Sequence, residues 1–133
     1  MIRGQLLLAV WAGAALALPY LFYAHRSRHS RRVFAIGLPI AAAVYVVFAA
    51  SRGTPHDLFI ESLGVLLFAL LAFVGFRYWS PFLALAWVAH LSWDLLLHPI
   101  GIPSYAPWWY AVTCIGFDLV VAGAIVGTSR ARL

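Results

Sequence analysis

Residues 56–98 read HDLFIESLGVLLFALLAFVGFRYWSPFLALAWVAHLSWDLLLH, and this stretch decides the fold class. It holds two apolar runs, 56–76 and 81–97, separated only by Arg77–Ser80. A transmembrane helix needs roughly 17–25 mostly apolar residues, and both runs come close to that length. Pro81 suits the first turn of the second helix, where a missing N–H costs nothing. So short a connection makes the pair antiparallel. Three further runs, 5–24, 33–50 and 107–127, flank the hairpin. The expected fold is all-α: a polytopic membrane helix bundle of about five transmembrane helices, forming a single domain over residues 1–133.

Composition excludes a soluble reading. The chain is 65% hydrophobic and 10% charged, too little charge to cover the surface of a soluble domain. Nine arginines, no lysine and four acids give a net charge of +5, which in a soluble protein would point to nucleic acid. Here the arginines fall in the gaps between apolar runs, so membrane orientation explains them and no nucleic-acid partner is expected. A single cysteine, Cys114, excludes an internal disulfide. The first run continues through Pro19–Tyr23 without a cleavage site after a polar region, so it reads as a helix and not as a signal peptide.

The gaps carry their own signals. His25–Arg32 (HRSRHSRR) reads as a basic loop, and Ser51–Pro55 as a turn, with Thr54 or Pro55 opening the third helix. Pro39 is expected to kink the second helix. The fourth helix should stop at His98–Pro99, because a residue before proline disfavours the helical region. Pro99–Pro107 is a rigid loop at the interface, and Trp108, Trp109 and Tyr110 suit the headgroup level. With five spans, Arg26, Arg28, Arg31, Arg32, Arg77, Arg130 and Arg132 share one side, against Arg3 and Arg52 on the other. The positive-inside rule then sets the N-terminus outside and the C-terminus in the cytoplasm of a multi-pass cell-membrane protein, as in a bacterial inner membrane.

All four acids, Asp57, Glu61, Asp94 and Asp118, lie in or at the edge of apolar runs, as do His56, His90 and His98. A charge at mid-bilayer costs about 2.5–3.5 kcal/mol or more, so these groups must pair, bind something or line water. His90, Asp94 and His98 follow one another at four-residue steps, on one face of the fourth helix. At ~1.5 Å rise per residue the two histidines stand some ~12 Å apart. They cannot share one metal ion, although Asp94 with either could. Antiparallel pairing brings His56, Asp57 and Glu61 near His98 and Asp94 toward the outer surface. Asp118, about ten residues into the fifth helix, lies near the depth of His90 by its helical rise.

Carboxylates and imidazoles converging from three helices suit zinc, iron or manganese. Glu61, His90, Asp94, His98 and Asp118 are the candidate metal ligands. Asp94, His90 and Glu61 are also the candidate acid–base groups, with His56 and Asp57 at the mouth. The first reading is a membrane-embedded metal-binding protein, whose open metal position could support hydrolysis or lipid modification from the outer leaflet. Membrane lipids are the surrounding partner, and the substrate would be amphiphilic. The competing reading is non-enzymatic: a small channel or transporter unit, acting as a homo-oligomer, or a scaffold subunit. In that reading the Asp–His network relays protons or only locks the bundle.

Other residues carry blander readings. His25 and His29 sit among arginines, where a solvated or headgroup role fits. Cys114 shares a face with Asp118 but reads as a small buried residue. Trp93 could wall a pocket beside Asp94. Ala9, Gly13 and Ala17 mark a close helix contact. Ser92 and Thr113 should bond backbone carbonyls, and no serine or threonine nucleophile with a nearby base is visible.

The stretch His90–His98 (HLSWDLLLH), the Pro-rich loop and Trp109–Asp118 (WYAVTCIGFD) resemble a family of small bacterial integral membrane proteins, domain of unknown function 6010. Similar members carry W-D followed by histidine on one helix and a C-x-x-x-D-like stretch on the last. The resemblance covers the C-terminal third; the earlier helices match in hydropathy alone. Where the family carries a histidine pair after W-D, this chain has the single His98 beside Leu97, which weakens a multi-histidine metal site. The resemblance implies no activity and supports attention to His90, Asp94, His98 and Asp118.

Overall fold

The computed structural model describes residues 3–131, with side chains described to residue 128. Arg132, counted in the charge asymmetry, lies outside the described residues, as does the side chain of Arg130. Among the described residues there are five helices and no strand: α1 Arg3–Arg26, α2 Ser30–Arg52, α3 Pro55–Arg77, α4 Ser80–Leu97 and α5 Trp108–Ala131. All five are long and apolar enough to cross a membrane.

The helices outrun their apolar cores at the basic ends. Hydropathy ends α1 at residue 24 and starts α2 at 33, yet the turn between them is only residues 27–29. Arginine and histidine are compatible with the helix, and His25 and Arg26 in the last turn of α1 complement its negative dipole end. Arg31 reaches across to donate from Nη2 to the Gly75 carbonyl at 3.1 Å, near the end of α3. α2 runs unbroken through Pro39.

The start of α3 is fixed locally. The Asp57 N–H donates to Thr54 Oγ1 at 3.1 Å, and the Asp57 carboxylate accepts from the Thr54 N–H at 2.8 Å. This capping box, with Pro55 in the first turn, satisfies two otherwise orphaned donors. Thr54→Ala should therefore cost about 1 kcal/mol, read as a lower melting temperature in detergent; an unchanged melt would mean the cap is redundant in the bundle.

Successive helices alternate in direction, so α1 and α5 run the same way and pack extensively against each other. That contact is backbone on backbone. A Cβ at Gly13 would stand 1.8 Å from the Thr113 carbonyl oxygen, and one at Gly116 would stand 1.9 Å from that of Val10. Side-chain-free positions let the two axes approach as small-residue stripes do in membranes.

The bundle divides into two halves along its length. Toward the α1–α2 and α3–α4 turns the core is apolar: Phe34, Leu38, Leu83 and Trp87 are buried, and Trp87 Nε1 donates to the Phe34 carbonyl at 3.3 Å. Toward the α2–α3 turn and the α4–α5 loop the core is polar. Glu61, His90, Asp94, His98 and Asp118 are all buried there. Meanwhile Leu8, Trp11, Leu66, Leu70 and Phe73 are exposed on the outside. Charge inside and large apolar side chains outside reverse the soluble pattern and fit a lipid surround.

Candidate metal centre

Four-residue spacing on α4 sets His90 and Asp94 on one face, and α5 brings Asp118 to them. His90 Nδ1 lies 2.8 Å from Asp118 Oδ2 and 3.6 Å from Asp94 Oδ2. One donor atom from each residue falls within 4.8 Å of the others. Asp94 and His90 have no exposed surface, and Asp118 is 1% exposed. Both Asp94 oxygens, Asp118 Oδ1 and His90 Nε2 have no hydrogen-bond partner among the described residues. Buried polar atoms are nearly always partnered, and leaving a carboxylate oxygen unmet costs several kcal/mol in a dry setting. Adjacent ligands on a tetrahedral metal with bonds of about 2.0–2.2 Å stand roughly 3.3 Å apart. The distances of 2.8 and 3.6 Å bracket that value, so this group could hold a metal ion.

A second network lies one turn outward, where α3 begins and α4 ends. Glu61 Oε1 accepts from His98 Nε2 at 2.9 Å and from the Tyr105 hydroxyl at 2.5 Å, and Oε2 accepts from Trp93 Nε1 at 3.4 Å. Room for the Trp93 ring comes from Gly64, whose Cβ would meet it at 2.9 Å. On the other side of the His98 ring, Nδ1 meets Ser104 Oγ at 2.6 Å. Tyr105 sits in the loop, where partial burial and then the Glu61 carboxylate push its phenol above the ordinary range, so it stays a donor. The loop is thereby tied to α3 and α4 by side chains.

Tyr45 of α2 links the two networks. Its ring stacks on His98 at 4.7 Å between centroids and 8° between planes. Its buried hydroxyl stands beside Asp94. Phe68 closes the inner group from α3, edge-on to His90 at 5.1 Å.

The five expected ligands thus fall into two groups. His90, Asp94 and Asp118 come together, while Glu61 and His98 pair with each other further out. Asp57 is engaged in the α3 cap and His56 is exposed, so neither joins them. Cys114 is buried as a free thiol, and Ser92 bonds the Val88 carbonyl at 3.1 Å. Sequence reasoning missed Tyr45, Ser104 and Tyr105. A lone tyrosine in an apolar run carries no signal, but a serine and a tyrosine a few residues past a helix-ending histidine are within reach of its ring.

The model of a family of unknown function, DUF6010, matches residues 4–130. The similarity therefore extends over all five helices and is not confined to the C-terminal third. No curated protein and no solved structure matches the chain.

Proposed function

We propose a function for a chain that belongs to the family of unknown function DUF6010: it is a membrane-embedded protein that holds a divalent cation at His90, Asp94 and Asp118. The observation that carries this reading is the pair of buried carboxylates, three of whose oxygens meet no hydrogen-bond criterion, beside an imidazole nitrogen. Two carboxylates and a neutral histidine bring a charge of −2 into the bundle, which a divalent ion cancels in place. One nitrogen and two oxygens suit zinc, iron or manganese, and three protein ligands leave coordination positions open. Tyr45, beside Asp94, is placed to orient that ligand from outside the coordination sphere.

The burial of the triad limits what reaches it to an ion or a water-sized molecule. A lipid or another amphiphilic substrate would meet the outer Glu61–His98 network, at the end of the bundle that the arginine asymmetry assigns to the outer face. The scaffold reading draws on the 2.8 Å contact between His90 and Asp118, which alone could lock α4 to α5. In that reading Asp94 has only the 3.6 Å contact to His90 and the nearby Tyr45 hydroxyl, whereas a cation gives its oxygens a direct partner.

Thermal unfolding of the detergent-purified protein, first stripped of metal with a chelator, tests the proposal. Zinc, iron or manganese at 100 times its dissociation constant should stabilise the bundle by about 2.7 kcal/mol. An unchanged melting temperature with all three metals overturns the cation reading and leaves the scaffold.

A further inference from the structure

The Glu61–His98 network continues to a serine, and this gives it a chemistry independent of any metal. Glu61, already accepting from Tyr105 and Trp93, serves His98 as an acceptor. His98 Nε2 therefore carries the proton, and Nδ1 turns a lone pair toward Ser104 Oγ at 2.6 Å. The Ala106 N–H donates to Ser104 Oγ at 3.3 Å and fixes the hydroxyl from the other side. Hydroxyl, imidazole and buried carboxylate stand in the order that activates a serine nucleophile, a constellation recognised by geometry and roles. The ring is used in the reverse sense to the serine proteases, with the acid on Nε2 and the hydroxyl on Nδ1. Either imidazole nitrogen can take the proton.

Exposure follows the same division of labour. Glu61 and His98 are 1% and 4% exposed, whereas Ser104 is exposed. Beside Ser104 lies a cavity of about 20 Å³, room for one water. Its walls include His98, Ile100, Ile102, Ala106 and Trp108. Of these, Ile100, Ile102 and Trp108 are exposed, an apolar rim suited to an acyl chain. The first turn of α5, whose leading N–H groups have no intrahelical acceptor, borders the same space.

We infer that Ser104, His98 and Glu61 form a nucleophile relay that cleaves an amphiphilic carboxylic ester at the membrane interface. Ser104 Oγ bonds to the ester carbonyl carbon while its proton passes to His98 Nδ1. The imidazolium then protonates the departing alcohol oxygen as the ester C–O bond breaks. A water molecule attacks the acyl-serine in the same way, gives its proton to His98, and releases the carboxylic acid as Oγ is reprotonated. Glu61 is a positioning residue, holding the tautomer and stabilising the imidazolium.

The test uses the full-length protein in detergent with an alkyl fluorophosphonate, which phosphonylates an activated serine and releases fluoride. A single adduct mapped to Ser104 is expected, with none at that position in Ser104→Ala and wild-type labelling in Ser92→Ala. His98→Gln should slow labelling about 10²–10⁴-fold, the usual contribution of a general base. Glu61→Gln should slow it as well, and Glu61→Asp should recover part of the rate. Ser104→Cys should be alkylated by iodoacetamide faster than Ser104→Cys combined with His98→Gln. Absence of a Ser104 adduct, or equal rates with and without His98, overturns the relay. Adducts are read by mass and metal by elemental analysis, so failure of one proposal is distinguishable from failure of the other.

Discussion

Gly116→Leu is expected to prevent the bundle from assembling, while Gly123→Leu on the same helix leaves it intact. At Gly116 the first added carbon would lie 1.9 Å from the Val10 carbonyl oxygen and 2.8 Å from the Ala14 nitrogen. Both are backbone atoms of a helix, so no side chain can rotate away and α1 must separate from α5. Overpacking in a core commonly costs about 1–3 kcal/mol and sometimes more. Here it falls on one of the bundle's largest helix contacts, against a total stability of roughly 5–15 kcal/mol. At Gly123 an added Cβ meets nothing within 4 Å. Size-exclusion profiles and melting curves of the two variants check this, and equal melting temperatures would mean that α1 is not held by the Gly13–Gly116 contact.

Asp118→Ala is the second large effect. The substitution removes the hydrogen-bond partner of His90 at 2.8 Å and one of the three proposed ligands. Deleting one partner of a buried hydrogen bond costs about 1–3 kcal/mol, since His90 Nδ1 is left unsatisfied. On the metal side the affinity should fall at least about 100-fold, the upper end of what losing a mere outer-shell partner costs. A chelator competition assay reads the second effect separately from the melting temperature. A destabilised variant with unchanged metal affinity would place the ion elsewhere.

The fold was legible because run length and punctuation carry it. Five apolar runs were bounded by Pro81, the Thr54–Pro55 pair, His98–Pro99 and basic clusters, and each became a helix. The largest misplacements lie at residues 25–32 and 128–131, because hydropathy follows the contact with lipid whereas the helix follows backbone hydrogen bonds, which arginine does not interrupt. Within the site, helical periodicity was enough for His90 with Asp94, and counting residues from the ends was enough for Asp118. Periodicity does not fix how α3 rotates about its own axis, and that rotation gives Glu61 to His98 and keeps it from the triad. For the loop partners the sequence offers only their nearness to His98. Ser104 and Tyr105 belong to no repeating pattern, and their inward turn depends on the path of the chain between Pro99 and Pro107.

The central claim is that the buried His90–Asp94–Asp118 group holds a divalent cation. Elemental analysis of the detergent-purified protein, wild type beside Asp94→Ala, tests it most directly. Close to one equivalent of zinc, iron or manganese is expected in the wild type, and its loss in the variant. Metal absent from both, even after reconstitution with each of the three, would contradict it and leave the triad as a lock between α4 and α5.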